Sequence, residues 1–214
     1  MIHVPTASRL IVVPMKDPRR SKTRLARALN DQDRASLALR LYHQTLERLA
    51  TIKARHRAVF DVAVVTECAQ IADIAQSKDA CAVYDDGSSG LNGALERAGR
   101  FAEQHGYTSI GVLPADLAAP ALQDIEKCVT FDLPPNGVLL CPSTDKGTNA
   151  FIAPLPRAFP FSYGPKSFLV HLEKAEDAGL SPIVAPWTSL KFDVDTAEDL
   201  ALLPEAAFAG QGDA

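Results

Sequence analysis

The sequence predicts an α/β fold, a parallel sheet wrapped by helices, on three observations. Short aliphatic runs recur at Arg9 to Val13, Val62 to Thr66 and Ile110 to Leu113, and they lack strict alternation. Such runs suit strands buried on both faces of a parallel sheet. Segments of helical period separate them, as parallel connections require. Two of the runs stop at a proline, Pro14 and Pro114, where a ladder donor is missing.

The elements follow in order. Arg9 to Val13 is the first strand, and Met15 to Arg24 is too polar and irregular to be anything but the loop after it. From about Asp31 to Ala54, Ala35, Leu39, Tyr42, Leu46 and Leu49 recur at helical spacing, with Asn30 or Asp31 able to cap. Val62 to Thr66 is a second strand, followed by a short helix through Ile71 and Ile74, and Ala80 to Tyr84 is a third. Asp85 to Gly93 carries three glycines and opens a helix through Leu95, Ala98 and Phe101. The strand ending at Leu113, a helix near Leu122 to Val129 and a strand at Val138 to Cys141 come next. Residues 142 to 167 change rhythm: they are rich in Gly, Pro and aromatics and read as a small inserted lobe. A helix through Phe168, Leu172 and Ala175 stops near Gly179. Leu190 to Val194 is expected to be a last strand and Thr196 to Leu202 a short helix.

At 214 residues the chain is expected to form one domain over 1–203, with 204–214 a frayed tail. A net charge of −4 argues against a nucleic-acid binder. The charge is uneven, however: Lys16 to Arg27 holds six basic residues and one acid, Asp17, which suits a small polyanion. No stretch has the length of a membrane span, no secretory leader is recognisable, and a cytoplasmic location is expected. Cys68, Cys81, Cys128 and Cys141 are widely spaced and read as reduced, buried thiols.

Four loops follow predicted strands and should gather at one sheet edge, where open α/β folds bind ligands. They are Lys16–Arg24, Asp85–Asn92, Pro114–Leu117 and Asp193–Thr196. Asp116, Asp193 and Asp195 offer hard oxygen ligands suited to Mg²⁺, one ion or two. Lys16, Lys22 and Arg24 offer cations to phosphate, arginine in bidentate fashion. Gly90, Leu91 and Asn92 form a loop that a flat base can approach closely, with Asn92 able to read a base edge. Together these imply chemistry at a nucleoside triphosphate.

What is missing narrows the reaction. There is no G-x-x-x-x-G-K-[ST] and no protein-kinase motif set. The five histidines, His171 included, fall mostly on predicted helices or the N-terminal segment and read as surface or packing residues. No general base stands out, which fits a nucleophile that is itself a phosphate monoester, already mostly ionised at neutral pH. The obstacle is then repulsion between anions. Two unit charges ~4 Å apart cost about 4 kcal/mol at an effective dielectric near 20.

Five motifs carry a family resemblance: V-P-M-K-x-x-x-x-S-K-T-R-L-A (13–26), L-P-A-D-L (113–117), G-T-N-A (147–150), F-x-Y-G-P-x-S-F-x-x-H (161–171) and D-V-D-T-x-E-D-L (193–200). In order and nearly whole-chain extent they resemble the 2-phospho-L-lactate or phosphoenolpyruvate guanylyltransferases of coenzyme F420 biosynthesis. The resemblance implies a Rossmann-like nucleotidyltransferase core that moves GMP from GTP to the phosphate of a three-carbon acid and releases pyrophosphate. It implies metal at Asp116 and Asp193 with Asp195 close by, and triphosphate at Lys16, Lys22 and Arg24. It also implies guanosine against Gly90 to Asn92, and the acceptor at Thr148, Gly164 and Ser167. Lys146 and Lys166 depart from the pattern, as does Ala118 where a proline often stands. The two lysines read either as solvent-facing loop residues or as a shift of acceptor choice toward 3-phosphoglycerate.

Two other readings compete. A sugar-nucleotide-dependent transferase also uses an Asp-x-Asp motif, but the basic loop after the first strand fits a triphosphate better. A non-catalytic nucleotide-binding regulator would need fewer carboxylates. Oligomeric state, including a homodimer, stays open at this stage.

Overall fold

The apolar runs assemble into one seven-stranded sheet in a computed structural model that describes residues 7–203. The expected tail at 204–214 lies outside the described residues. Strand β1 (Arg9–Pro14) is flanked by β2 (Phe60–Thr66) and β4 (Ser109–Val112), both parallel to it, and β3 (Cys81–Tyr84) lies parallel beyond β2. The sheet continues through β6 (Thr148–Pro154) to β5 (Gly137–Pro142) and β7 (Ser181–Val184), in the order β3-β2-β1-β4-β6-β5-β7. Only β6 runs against its neighbours: it is antiparallel to β4 and β5, while β5 and β7 are parallel. Its first residue, Thr148, therefore lies at the edge where the other strands end.

Both faces of the sheet are covered, which is why the strands are apolar at successive positions. Ile11, Val13, Val62 and Val64 pack under α1 (Asp31–Arg55), α2 (Ala69–Ser77) and α4 (Leu122–Val129). Leu10, Val12, Val65 and Ile110 face α3 (Gly90–Gln104) and α5 (Ser167–Asp177). Helix α1 begins where Asn30 accepts the Asp33 N–H at 2.8 Å, with Asp31 and Asp33 in its first turn and Lys53 and Arg55 in its last. That charge order complements the helix dipole.

Three expectations need correction. The inserted segment is smaller than expected, because Thr148–Pro154 is a strand within the sheet. What stands outside regular structure is the 143–147 turn and the 155–166 loop. Leu190 to Val194 is not a strand. Leu190 and Val194 are buried while Phe192 is exposed, which defeats the alternation a strand would need. The segment instead leaves a 3₁₀ turn at Thr188–Leu190 and makes a single antiparallel bridge, Leu117 to Asp193. The expected helix after Thr196 is reduced to a 3₁₀ turn, Asp199–Leu202.

Candidate active site

The loop after β1 folds back over the sheet edge through two 3₁₀ turns, Pro18–Arg20 and Thr23–Arg27. Between them Lys22 takes the left-handed conformation, φ 54°. A lysine there costs about 1–2 kcal/mol that glycine would avoid. The conformation turns its side chain inward. The Lys22 ammonium, only 5 % exposed, pairs with the Asp116 carboxylate and lies 3.2 Å from Asp195 Oδ1. Burial alone would lower its pKa, but Asp116 and Asp195 outweigh that and hold it above the usual lysine value. Arg24 reaches Asp195 Oδ2 from the surface at 3.3 Å.

Asp193 completes the cluster. The Leu117 bridge and a hydrogen bond from Val194 N–H to Asp116 O, 3.1 Å, hold the two aspartate loops together. Burial, and then the charges of Asp116 and Asp195, push the Asp193 carboxyl up to about 6. Asn149 Nδ2 donates to it at 3.5 Å and to Leu190 O at 2.9 Å. Asp199, which the sequence reading did not single out, accepts the backbone N–H groups of Asp195 and Thr196 at 3.0 and 2.7 Å and fixes the last carboxylate loop.

Among the described residues no group of three His, Cys, Asp or Glu is arranged to hold a metal ion as the side chains stand, and Lys22 lies between two of the carboxylates. The donor set nevertheless fits Mg²⁺. Three hard-oxygen ligands stand close enough that the charges of Asp116 and Asp195 add to burial, the larger cause, in raising the Asp193 pKa.

Beside this cluster lies a cavity of about 500 Å³, bordered by Lys16, Lys22, Thr66, Gly90, Leu91 and Asp116. Gly90 opens α3 at φ +63°. At Gly93 an added Cβ would come within 2.1 Å of Ser89 Cβ, so only glycine fits under that turn. Lys16, Gly90 and Leu91 thus border the cavity where they were expected. Asn92 does not. Its Nδ2 donates to Tyr163 O at 2.9 Å and its Oδ1 accepts the Tyr163 N–H at 2.7 Å. The amide edge that was expected to read a base is used up latching the 155–166 loop onto α3. Two carboxylates escaped notice in the sequence, Glu67 and Asp85. Both border the cavity, each just past a strand end, a position that could have flagged them. Asp85 is buried, accepts the Gly87 N–H at 2.9 Å and has Arg97 3.3 Å away.

The expected acceptor residues form a separate station, outside the lining of that cavity. Register slips between Cys141 and Pro142, so that Pro142 pairs with Thr148. Bulges of this kind re-aim side chains. Asn149 then reaches Asp193, while Thr148 meets α5: its Oγ1 receives Ser167 Oγ at 3.1 Å and lies 3.0 Å from His171 Nδ1. All three side chains are buried. His171 packs against Phe151 and Tyr163 as a core residue, and also meets Thr148, a partner revealed only by the fold, which brings α5 over the start of β6. Gly164, φ +151°, Lys166, φ 57°, and Lys146, φ 70°, stand exposed around them. The Phe168 N–H bond to Lys146 O, 3.1 Å, ties the two lysine turns together.

Residues 9–212 match the family model described as guanylyl transferase CofC like. The chain belongs to that family. It is 37 % identical over 193 residues to a 3-phospho-D-glycerate guanylyltransferase of Colwellia psychrerythraea, covering 90 % of each chain. It is 34 % identical to a phosphoenolpyruvate guanylyltransferase of Rubrobacter xylanophilus, covering 90 % of this chain and 91 % of that one. Identity to a 2-phospho-L-lactate guanylyltransferase of Methanothermobacter thermautotrophicus is 29 %, over 88 % and 81 %. Among solved structures, a nucleotidyl transferase from Methanothermobacter superposes with a TM-score of 0.62 at 14 % identity, covering 94 % of this chain and 98 % of that one. A Desulfovibrio desulfuricans protein described as a nucleotide-diphospho-sugar transferase gives 0.69 at 20 %, covering 96 % and 90 %. These likenesses give the fold. Family membership makes this chain a nucleotidyltransferase and sets aside the non-catalytic regulator. No described helix is long and apolar enough to cross a membrane.

Proposed function

We propose that the enzyme transfers GMP from GTP to the phosphate of 3-phospho-D-glycerate and releases pyrophosphate, a reaction suited to coenzyme F420 biosynthesis. The convergence of Asp116 and Asp195 on Lys22, with Asp193 beside the two carboxylates, at the border of a nucleotide-sized cavity carries this reading. An oxygen of the acceptor phosphate attacks the α-phosphorus of GTP. The new P–O bond forms as the bond to the β-phosphate bridging oxygen breaks, and pyrophosphate leaves with that electron pair. No proton need be removed from a phosphate dianion. Asp116, Asp193 and Asp195 would hold Mg²⁺, which would supply positive charge against the triphosphate. Lys16, Lys22 and Arg24 meet phosphate oxygens, Lys22 being able to satisfy either its carboxylates or a phosphate.

The choice of 3-phosphoglycerate rests on two supports: the 37 % identical relative carries that name, and Lys146 and Lys166 are both strained and free of carboxylate partners among the described residues. Strain of this sort persists where the side chain is useful. An acid whose phosphate is one carbon farther from its carboxylate gives two separated anions for two separated lysines. Pyrophosphate release should be followed with GTP or ATP and Mg²⁺, against 3-phosphoglycerate, phosphoenolpyruvate and 2-phospho-L-lactate in turn. The proposal expects GTP with 3-phosphoglycerate to be fastest. A clear preference for either other acid refutes the acceptor assignment; no release with any of them refutes the reaction.

A further inference from the structure

His171 sits at the centre of a hydrogen-bond chain whose direction can be worked out. The Ser162 N–H donates to its Nε2 at 3.1 Å, so that nitrogen carries no proton. The neutral ring's hydrogen is then on Nδ1 and points at Thr148 Oγ1, 3.0 Å away. The opposite tautomer, or the imidazolium, would set two donors face to face at Ser162. Burial disfavours the imidazolium further, with the nearby Lys174 ammonium adding to the effect.

Three hydrogens now belong to this chain, one on His171 and one on each hydroxyl, and two bonds use two of them. One hydroxyl hydrogen, on Thr148 or Ser167, is left over. Neither hydroxyl has another acceptor among the described residues. A buried hydroxyl hydrogen without a partner costs about 1–3 kcal/mol, which makes it a donor waiting for an acceptor. A carboxylate or phosphate oxygen of the acceptor substrate would be such a partner, and the exposed Lys146 and Lys166 flank the place.

We infer that His171 is a positioning residue: by fixing its own tautomer on the Ser162 backbone it forces the Thr148–Ser167 pair to present a hydroxyl donor to the acceptor anion. Were the ring replaced by an apolar one, the leftover hydrogen would remain but nothing would fix the Thr148 hydroxyl in that orientation, and binding the anion would have to order the pair. This rests on the reading that Thr148 and Ser167 meet the acceptor.

The test compares His171→Phe, which keeps the volume, with His171→Asn, whose amide can restore the donor toward Thr148, and His171→Gln, whose amide reaches the Ser162 side instead. Each is assayed for acceptor KM at saturating GTP, GTP KM at saturating acceptor, and melting temperature. His171→Phe should raise the acceptor KM about tenfold, the equivalent of about 1.4 kcal/mol, and leave the GTP KM within about twofold. His171→Asn should recover most of that loss although its melting temperature is as low as that of the Phe variant, and His171→Gln should not. The proposal is overturned if Asn is no better than Phe and Gln, or if both KM values move together. Should the Phe variant fail to fold, the Asn and Gln pair decides alone. Thr148→Val in the same assay separates the two levels. If it leaves acceptor KM unchanged, the acceptor reading falls and the inference with it. If it raises KM while His171→Phe does not, only the role of His171 is lost.

Discussion

On the proposed function, the nucleotide side and the acceptor side of this enzyme would handle anions by different means. Beyond the ends of β1 and β4 the tools are formal charges: Lys22 buried between Asp116 and Asp195, Asp193 crowded beside them, and Arg24 at the rim. Around β6 and α5 the interior tools are neutral, a histidine and two hydroxyls, with Lys146 and Lys166 at the surface and Lys174 half-buried on Ser162. The first arrangement suits charge that must be neutralised for reaction; the second suits an anion that must only be oriented. Substitutions should therefore change rate on one side and acceptor affinity on the other.

The largest effect is expected at Asp116. Asp116→Asn should lower kcat by more than ~100-fold, the scale of a lost electrostatic stabiliser. Stopped assays of pyrophosphate release at saturating substrates would measure it, and a loss confined to acceptor KM would erase the distinction between the two sides. Next comes Lys166→Gly, for which kcat/KM toward 3-phosphoglycerate should fall about tenfold. The same change should raise thermal stability by about 1 kcal/mol, because glycine accepts the φ of 57° without strain. Activity and stability moving in the same direction would refute the claim that strain is kept for the sake of the charge.

Asn92 sharpens the comparison, since it lies in the helix that opens at the cavity of about 500 Å³ yet grips the 155–166 loop. Asn92→Ala should raise acceptor KM several-fold with little change in GTP KM, and lower stability by about 1–3 kcal/mol for the two lost bonds. A shift in GTP KM alone would return Asn92 to base recognition. The smallest effect is one of pH. His171 is held neutral, its pKa lowered from 6.5 to about 4, chiefly by burial. The unfolded chain takes up this proton first, so stability contributed by the site is full above about 6.5 and is lost as pH falls toward 4. Denaturant titrations should show the stability difference between the wild type and His171→Phe changing by up to about 1.4 kcal/mol per pH unit across that window, the Asp193 contribution being common to both.

The same contrast governs what could be read in the sequence. The parallel strands announce themselves locally: Leu10 to Val13 and Val62 to Val65 are apolar throughout because both faces are covered, and Pro14 marks an end. Asp116 and Lys22 follow such strands, so their meeting was foreseeable from topology. The β6 strand, T-N-A-F-I-A-P, sits between glycine- and proline-rich turns, and its place between β4 and β5 depends on pairings no local pattern encodes. The partners of His171 depend on that strand, on a bulge and on α5 together. Asn92 misled for the opposite reason. Its loop position was right, but its amide was taken by a backbone seventy-one residues away.

The central claim is that one phosphate attacks another, and isotope placement tests it most directly. The enzyme would be given GTP, Mg²⁺ and 3-phosphoglycerate whose terminal phosphate oxygens are ¹⁸O, in ordinary water, and the products weighed by mass spectrometry. The account predicts that all of the label stays in the guanylylated acid and that pyrophosphate carries none. Label in pyrophosphate, or GDP in place of pyrophosphate, would contradict it.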